Sequence, residues 1–184
     1  APTFNDLYYP GFSNPNLKPE RALSADLGLR YAAGTVSGNV VAHHARIQDI
    51  IVFECDASFN CAPQNVRQAA ISGFSLSGQW RLSGNTQIGA AFDFLDAKDR
   101  ATDAQLPRRS RTHGSVRLQH AFAGFKARAE IIAVGKRFDD AANQQPLRAY
   151  TLLNLGIDVP IVAGVTAELR ANNVTDERYA LAKD

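Results

Sequence analysis

Apolar and polar residues alternate along most of this chain with a period of two. Leu23, Ala25, Leu27, Leu29 and Tyr31 fall on one side, with Ser24, Asp26, Gly28 and Arg30 on the other. The same pattern runs through Thr86-Ile88-Ala90-Phe92-Phe94 against Gln87, Gly89, Ala91 and Asp93. It recurs in Val116-Leu118-His120-Phe122 against Ser115, Arg117 and Gln119, and in Phe125-Ala127-Ala129-Ile131-Ala133 against Lys126, Arg128 and Glu130. Side chains of a strand point alternately to its two faces, so this rhythm predicts strands with one apolar and one polar face. Only short segments fit a helix, and none carries a convincing cap.

Turn-forming residues divide the pattern regularly. Short signals stand at Ala33-Gly34-Thr35, Ser83-Gly84-Asn85, Ala123-Gly124 and Val159-Pro160, and longer polar segments at 51–65, 98–106, 139–147 and 173–178. The spacing predicts about eight strands, at 20–32, 36–50, 66–82, 86–97, 107–122, 125–138, 148–159 and 163–172. This is an all-β, antiparallel up-and-down meander. Several strands exceed the usual ~5–6 residues and match the ~9–11 that cross a tilted bilayer barrel. Short turns at one end and long loops at the other are the asymmetry of outer-membrane barrels. Periodicity alone does not say which face meets lipid, because a soluble barrel or sandwich alternates as well.

Composition narrows the classes. Apolar residues make up 45% and charged residues 21%, near globular averages, so disorder is not expected. A net charge of +2 is too slight to predict nucleic-acid binding. No apolar run reaches the ~18 residues of a membrane helix, which leaves a barrel open. Met is absent, including at position 1, so the expectation is a piece of a longer protein.

Four stretches carry a resemblance: "APTFNDLYYPGFSNPNLKPE" (1–20), "IQDIIVF" (47–53), "LPRRSRTHGSVRLQ" (106–119) and "NNVTDERYAL" (172–181). In that order they resemble segments of TonB-dependent outer-membrane receptors, most closely the cobalamin-transporting branch. The first and last are the specific ones. The resemblance implies that residues 1–184 are the C-terminal part of a large transmembrane β-barrel, with the plug and the last strand lying outside the chain. It places 3–18 in a surface loop, where Pro15 and Pro19 favour extended, polyproline-like backbone. Partners so implied are the plug domain, the TonB complex and outer-membrane lipid. No cofactor is implied, since the cobalamin is cargo. No nucleic acid is expected as a partner.

Candidate residues follow. Tyr8, Tyr9 and Phe12 suit a membrane interface or a ligand mouth, where ring and hydroxyl meet apolar and wet surroundings. Arg109, Arg111, Arg117, Lys126, Arg128 and Glu130 are candidates for facing the lumen or the plug; a solvated strand face is the alternative. Cys55 and Cys61 are expected to form a disulfide closing the first long loop, as an oxidising cell surface permits, with free thiols or a metal pair as alternatives. His43 and His44 are neighbours on a strand and point apart, so they do not chelate together. His113 and His120 also fall on opposite faces. Asp96, Asp99, Asp103, Asp139 and Asp140 read as solvated loop carboxylates. No nucleophile motif or phosphate loop is present, so no catalytic residue and no enzyme activity is expected.

Two functions of different class remain open at this stage. One is a transport receptor for cobalamin, or for a siderophore or haem. The other is a small soluble lipocalin-like binding barrel. Strands cut from a wider sheet would leave raw edges, so either an edge-to-edge dimer or a closed form with its charges outward is expected.

Overall fold

A computed structural model describes residues 1–55 and 60–183, with backbone alone at 66 and 67. Among the described residues a short helix, α1 (Phe4–Tyr8), precedes ten strands: β1 (Arg21–Ala33), β2 (Val36–Cys55), β3 (Cys61–Arg81), β4 (Thr86–Asp99), β5 (Thr112–Phe122), β6 (Phe125–Val134), β7 (Arg137–Phe138), β8 (Pro146–Leu147), β9 (Tyr150–Val162) and β10 (Val165–Ala171). Eight of them form one antiparallel sheet in the order β1-β2-β3-β4-β5-β6-β9-β10, and β7-β8 is a separate small hairpin. The meander expected from periodicity is the fold.

The tight turns explain themselves. Gly34, Gly124 and Gly164 have φ of 54°, 99° and 79°, a region that costs a side-chain-bearing residue energy. The last turn is therefore at Ala163–Gly164 and not at Val159-Pro160. Pro160 lies within β9 opposite Thr166, two residues beyond Asp158, the last β9 residue that pairs with β6. Three further boundaries differ from the sequence expectation. β5 begins at Thr112 rather than 107, because residues 100–111 fold back against β4, with the Leu106 N–H on the Ala97 carbonyl. β6 stops at Val134, and 137–138 turns away into the small hairpin. β2 and β3 run on through most of the segment expected to be loop, although its residues 56–59 lie outside the described residues.

The cross-strand register sorts the side chains into two faces. On one, Leu29 faces Val40, Val40 faces Leu76, Leu76 faces Phe92, and Val116 faces Ile131, which faces Leu153. On the other, Asn39 faces Ser77, Gln87 faces Gln119, Arg117 faces Glu130, and Glu130 faces Asn154. The apolar face is uncovered: Leu27 is 79% exposed, Leu76 51% and Trp80 51%. Among the described residues Ile50, Ala69, Ala97 and Leu106 pack as one small buried cluster, and Leu17 and Leu147 are buried apart from it. The accessible surface is 12693 Å². A compact monomer of this mass exposes about 8,700 Å². A soluble container would hide these rings and branched chains inside; here they stay exposed, as on the lipid face of a membrane barrel.

The sheet does not close. Among the described residues β1 pairs only with β2, and β10 only with β9. The small closed form with charges outward is thus not what the chain adopts. Both edges keep a free row of backbone donors and acceptors.

Candidate functional site: the polar wall and its loop cap

Charged pairs fill the polar face on the side of the later strands. Arg117 on β5 pairs with Glu130 on β6 at 2.5 Å, and Glu130 also accepts from Asn154 on β9 at 3.3 Å. Arg128 on β6 pairs with Asp158 on β9 at 2.5 Å and continues to Glu168 on β10, which is also held by Arg170 at 2.8 Å. Lys126 stands opposite Asp158 in the register. Arg117, Lys126, Arg128 and Glu130 thus share one face. Arg109 and Arg111 precede the strand and do not join that ladder. Arg111 pairs with Asp96 at 3.4 Å, and the Arg109 carbonyl accepts from the Gln105 side chain.

At the long-loop end three segments meet. The Asp139 carboxylate accepts from Arg108 Nε at 2.7 Å with one oxygen and from the Lys183 N–H at 3.2 Å with the other. It thereby ties residues 100–111 to the β6–β9 connection and to the segment after β10. Asn143 and Gln105 exchange two bonds between the first two of these segments, Gln105 N–H to Asn143 Oδ1 at 2.7 Å and Asn143 Nδ2 to the Gln105 carbonyl at 2.8 Å. Arg137 is 4% exposed, donates Nη2 to the Ala180 carbonyl at 2.8 Å and lies over the Tyr150 ring, which stacks on Tyr179 at 4.2 Å. The hydrogen bond from Arg108, reinforced by the Lys183 N–H, holds the Asp139 carboxyl below its ordinary value. Burial pushes Asp140 up, but the N–H groups of Gln145 and Gln144 outweigh it and keep it low too.

This corrects the reading of Asp139 as a solvated carboxylate: its side chain is 10% exposed and works as a junction. Period two does not reveal such a residue, because its partners come from loops. Asp103 is solvated and pairs with Lys98. Asp99 accepts from the N–H groups of Ala101 and Thr102 in its own turn.

A second cluster sits on the far side of the same end. β2 and β3 pair on past Gln48 and Ala69, where their outer neighbours β1 and β4 stop, up to Cys55 opposite Cys61. Those cysteines form the expected disulfide. Residues 14–20 fasten this projection: Glu20 accepts from the Ile51 N–H at 2.7 Å, Asn14 donates to the Pro63 carbonyl at 3.1 Å, and Asn65 bonds both the Lys18 N–H and the Lys18 carbonyl. Tyr8, Tyr9 and Phe12 are each at least half exposed, and Phe12 approaches the ring of Phe53 at 6.5 Å. Residues 4–8, read as loop with no convincing cap, are helical and include Tyr8. Thr3 and Asp6 form a reciprocal capping box that starts α1, with the Asp6 N–H on Thr3 Oγ1 at 3.2 Å and the Thr3 N–H on Asp6 at 2.8 Å. Thr3-x-x-Asp6 was the signal available in the sequence.

His43 and His44 lie on opposite faces, as do His113 and His120. His44 meets Ser72 Oγ at 2.8 Å, and His113 meets Asp93 at 3.5 Å. Among the described residues no group of three His, Cys, Asp or Glu converges on a metal-sized site.

The family model described as "TonB dependent receptor-like, beta-barrel" matches residues 1–174. The chain belongs to that family. Two curated relatives are vitamin B12 transporters BtuB. That of Photobacterium profundum is 31% identical over 183 residues, covering 97% of this chain and 30% of the relative. That of Vibrio vulnificus is 30% identical over 183 residues, covering 99% and 29%. Among solved structures, the copper transporter OprC superposes over all of this chain and 30% of its own, with a TM-score of 0.85 at 20% identity. The ferric yersiniabactin uptake receptor FyuA of Yersinia pestis covers 89% of this chain and 26% of its own, with a TM-score of 0.75 at 16% identity. At such identities the structural likeness speaks for the fold alone. The chain spans about 30% of the length of the curated relatives it matches. The family consists of receptors and transporters, not enzymes.

Proposed function

We propose that this chain is part of an outer-membrane receptor of a Gram-negative bacterium that captures cobalamin outside and moves it inward, energised through TonB. The observation that carries the reading is the end-to-end likeness, at about 30% identity, to two vitamin B12 transporters. The outward apolar face supports a lipid-embedded wall, and the ion-paired face supports a wetted interior. In this reading residues 1–184 form the C-terminal part of the barrel, and a plug occupies the space beside the polar face. Arg117, Lys126, Arg128 and Glu130 then line the passage or meet the plug, and Arg109 and Arg111 stand at its mouth. Tyr8, Tyr9 and Phe12 offer exposed rings where a bulky ligand first lands. No resident cofactor is needed, because transport involves no chemical step.

Ferric siderophores are the second reading; haem is a weaker third, since residues 3–18 hold no His. The test is uptake of labelled cobalamin by a strain that lacks its own receptor and carries the gene at its natural length. Cobalamin-dependent growth is the expected result. Growth rescued by iron chelates, with no cobalamin uptake, would transfer the assignment to siderophores.

A further inference from the structure

Towards the long loops the apolar face of the sheet gives way to two rows of polar side chains on β1–β4. The register aligns Leu23, Arg46, Ala70 and Lys98 in one row, and Arg21, Gln48 and Gln68 in the next. By parity all of them share the face of Leu29, Val40, Leu76 and Phe92. Arg100 joins the second row, since its N–H bonds the Gln68 carbonyl at 2.9 Å. Arg46, Gln48, Gln68 and Arg100 line a recess of about 240 Å³; Ile47 and Ala69, which alternate with them along the strands, complete its lining, and no carboxylate does. Ile47 and Ala69 turn the other way, into the cluster that Leu106 covers, so the recess opens on the apolar face and not on the ion-paired one.

Its positive charge is unmet. Lys98 is engaged by Asp96 and Asp103, and Arg111 by the same Asp96. Arg21, Arg46 and Arg100 have no side-chain partner among the described residues. The charge is also local, because at the long-loop ends of β5, β6 and β9 the residues on this face are Thr112, Ala133 and Thr151.

Depth and shape point to one kind of occupant. Trp80 stands opposite Val36 near the short turns, and Arg46 follows ten residues later on β2. That is roughly 33 Å along the strand, or about 25 Å of height at the usual tilt, which is the height of the apolar band of outer-membrane barrels. The recess therefore lies at the interface on the long-loop side, the outer surface of such barrels. Its volume is below the ~300–1,000 Å³ of pockets that enclose a whole ligand, so it suits a headgroup. Guanidinium groups bind phosphate in forked, charge-assisted pairs, and the amides add donors. From Gln68 down β3 the next two residues on this face are the small Ala70 and Ser72, and then Phe74, which stacks on Phe94 at 5.7 Å and lies 6.0 Å from Phe92. A low path thus runs from the cationic recess to exposed rings. An acyl chain attached to the phosphate needs such a path, and a free anion does not.

We propose that Arg46 and Arg100, with Gln48 and Gln68, hold the phosphate of an outer-leaflet lipid headgroup, with Arg21 adding charge at the edge and the Phe74–Phe94 cluster taking an acyl chain. The inference rests on the outer-membrane reading given above and adds a lipid site that transport itself does not call for.

Native mass spectrometry of the natural-length protein in detergent tests it, with diphosphoryl lipid A, its dephosphorylated form and inorganic phosphate as probes. One diphosphoryl lipid A is expected to bind at least tenfold more tightly than the dephosphorylated form. Arg46→Gln with Arg100→Gln should weaken that binding at least tenfold. Arg46→Lys with Arg100→Lys keeps the charge and should retain at least a third of the affinity, which separates lost charge from a disturbed fold. Arg30→Gln with Arg81→Gln removes the same charge from the opposite face and should change the affinity less than twofold. Equal weakening by the two Gln pairs, a Lys pair as weak as the Gln pair, equal binding of the dephosphorylated lipid, or displacement by equimolar inorganic phosphate overturns the proposal. Quenching of Trp80 by brominated lipid separates the two readings. Lipid quenching without selective lipid A binding defeats this inference alone, and absence of lipid quenching defeats the lipid-facing reading on which it rests.

Discussion

Arg128 on β6 reaches Glu168 on β10 across an intervening strand, because the residue between them is Gly156. Gly156 faces Arg128 in the register, and a Cβ built there would lie 3.3 Å from Arg128 Nε. The missing side chain leaves a channel for the guanidinium to cross β9, pairing with Asp158 on its way. Arg128→Ala would leave two carboxylates facing each other on neighbouring strands. It is expected to cost about 1–3 kcal/mol, since the group is partly solvated. Gly156→Val should give a similar loss while keeping every charge. Equilibrium unfolding from lipid bilayers checks both; a neutral Gly156→Val would show that the channel is not needed.

Most of the sheet is legible in the sequence because lipid on one side and water on the other impose period two on the long strands. Leu23 to Tyr31 and Phe125 to Ala133 read off directly. The boundaries that misled are those where the backbone answers to a loop. β5 starts late because Leu106 sits on the cluster of Ile50, Ala69 and Ala97, and β2 and β3 run on because Glu20 and Asn65 hold their edges. The site was half legible. Arg117, Arg128 and Glu130 follow from parity alone, whereas Asp139 and Arg137 depend on partners more than 30 residues away in sequence, to which no local pattern points.

Asp139 should act as a common fastener. Asp139→Ala removes the acceptors for Arg108 and Lys183 at once. Hydrogen exchange is expected to speed up in 100–111 and 175–183 together, by about ten- to a hundredfold, which corresponds to about 1.5–3 kcal/mol for bonds to a charged group. Acceleration of one segment alone would deny the coupling.

Acid should loosen the same cap. Asp139 and Asp140 are both held below the ordinary carboxylate value in the folded protein. A lowered folded value means that the stabilisation is complete above the unfolded value and is lost as pH falls through the folded one. Exchange in 100–111, corrected for its intrinsic pH dependence, should therefore stay flat down to about pH 4 and rise below it. A transition near neutrality would point to a different group.

Trp80 reports the outward face without any mutation. It is the single tryptophan, 51% exposed, on the same face as Tyr31, Phe122 and Phe125 near the short turns. That ring of aromatics suits the bilayer interface. In vesicles, lipids brominated close to the headgroup should quench its emission more than lipids brominated near the chain ends. Strong quenching by aqueous iodide, with none from lipid, would reverse the assignment of faces.

Neighbours on β5 give the sharpest contrast between the two faces. Val116 stands outward between Ala90 and Ile131, and Ser115 inward between Ala91 and Ile132. Both lie near the middle of the strand, so depth is shared and only the face differs. Val116→Arg places a charge in hydrocarbon and should cost about 2–4 kcal/mol, while an arginine lining the lumen avoids that penalty. Ser115→Arg should therefore fold nearly as well as the parent, with its guanidinium in the wet interior beside Arg117. Folding yield and urea midpoints in vesicles measure both. Equal losses, or a larger loss for Ser115→Arg, would mean that the apolar side of this sheet does not face lipid.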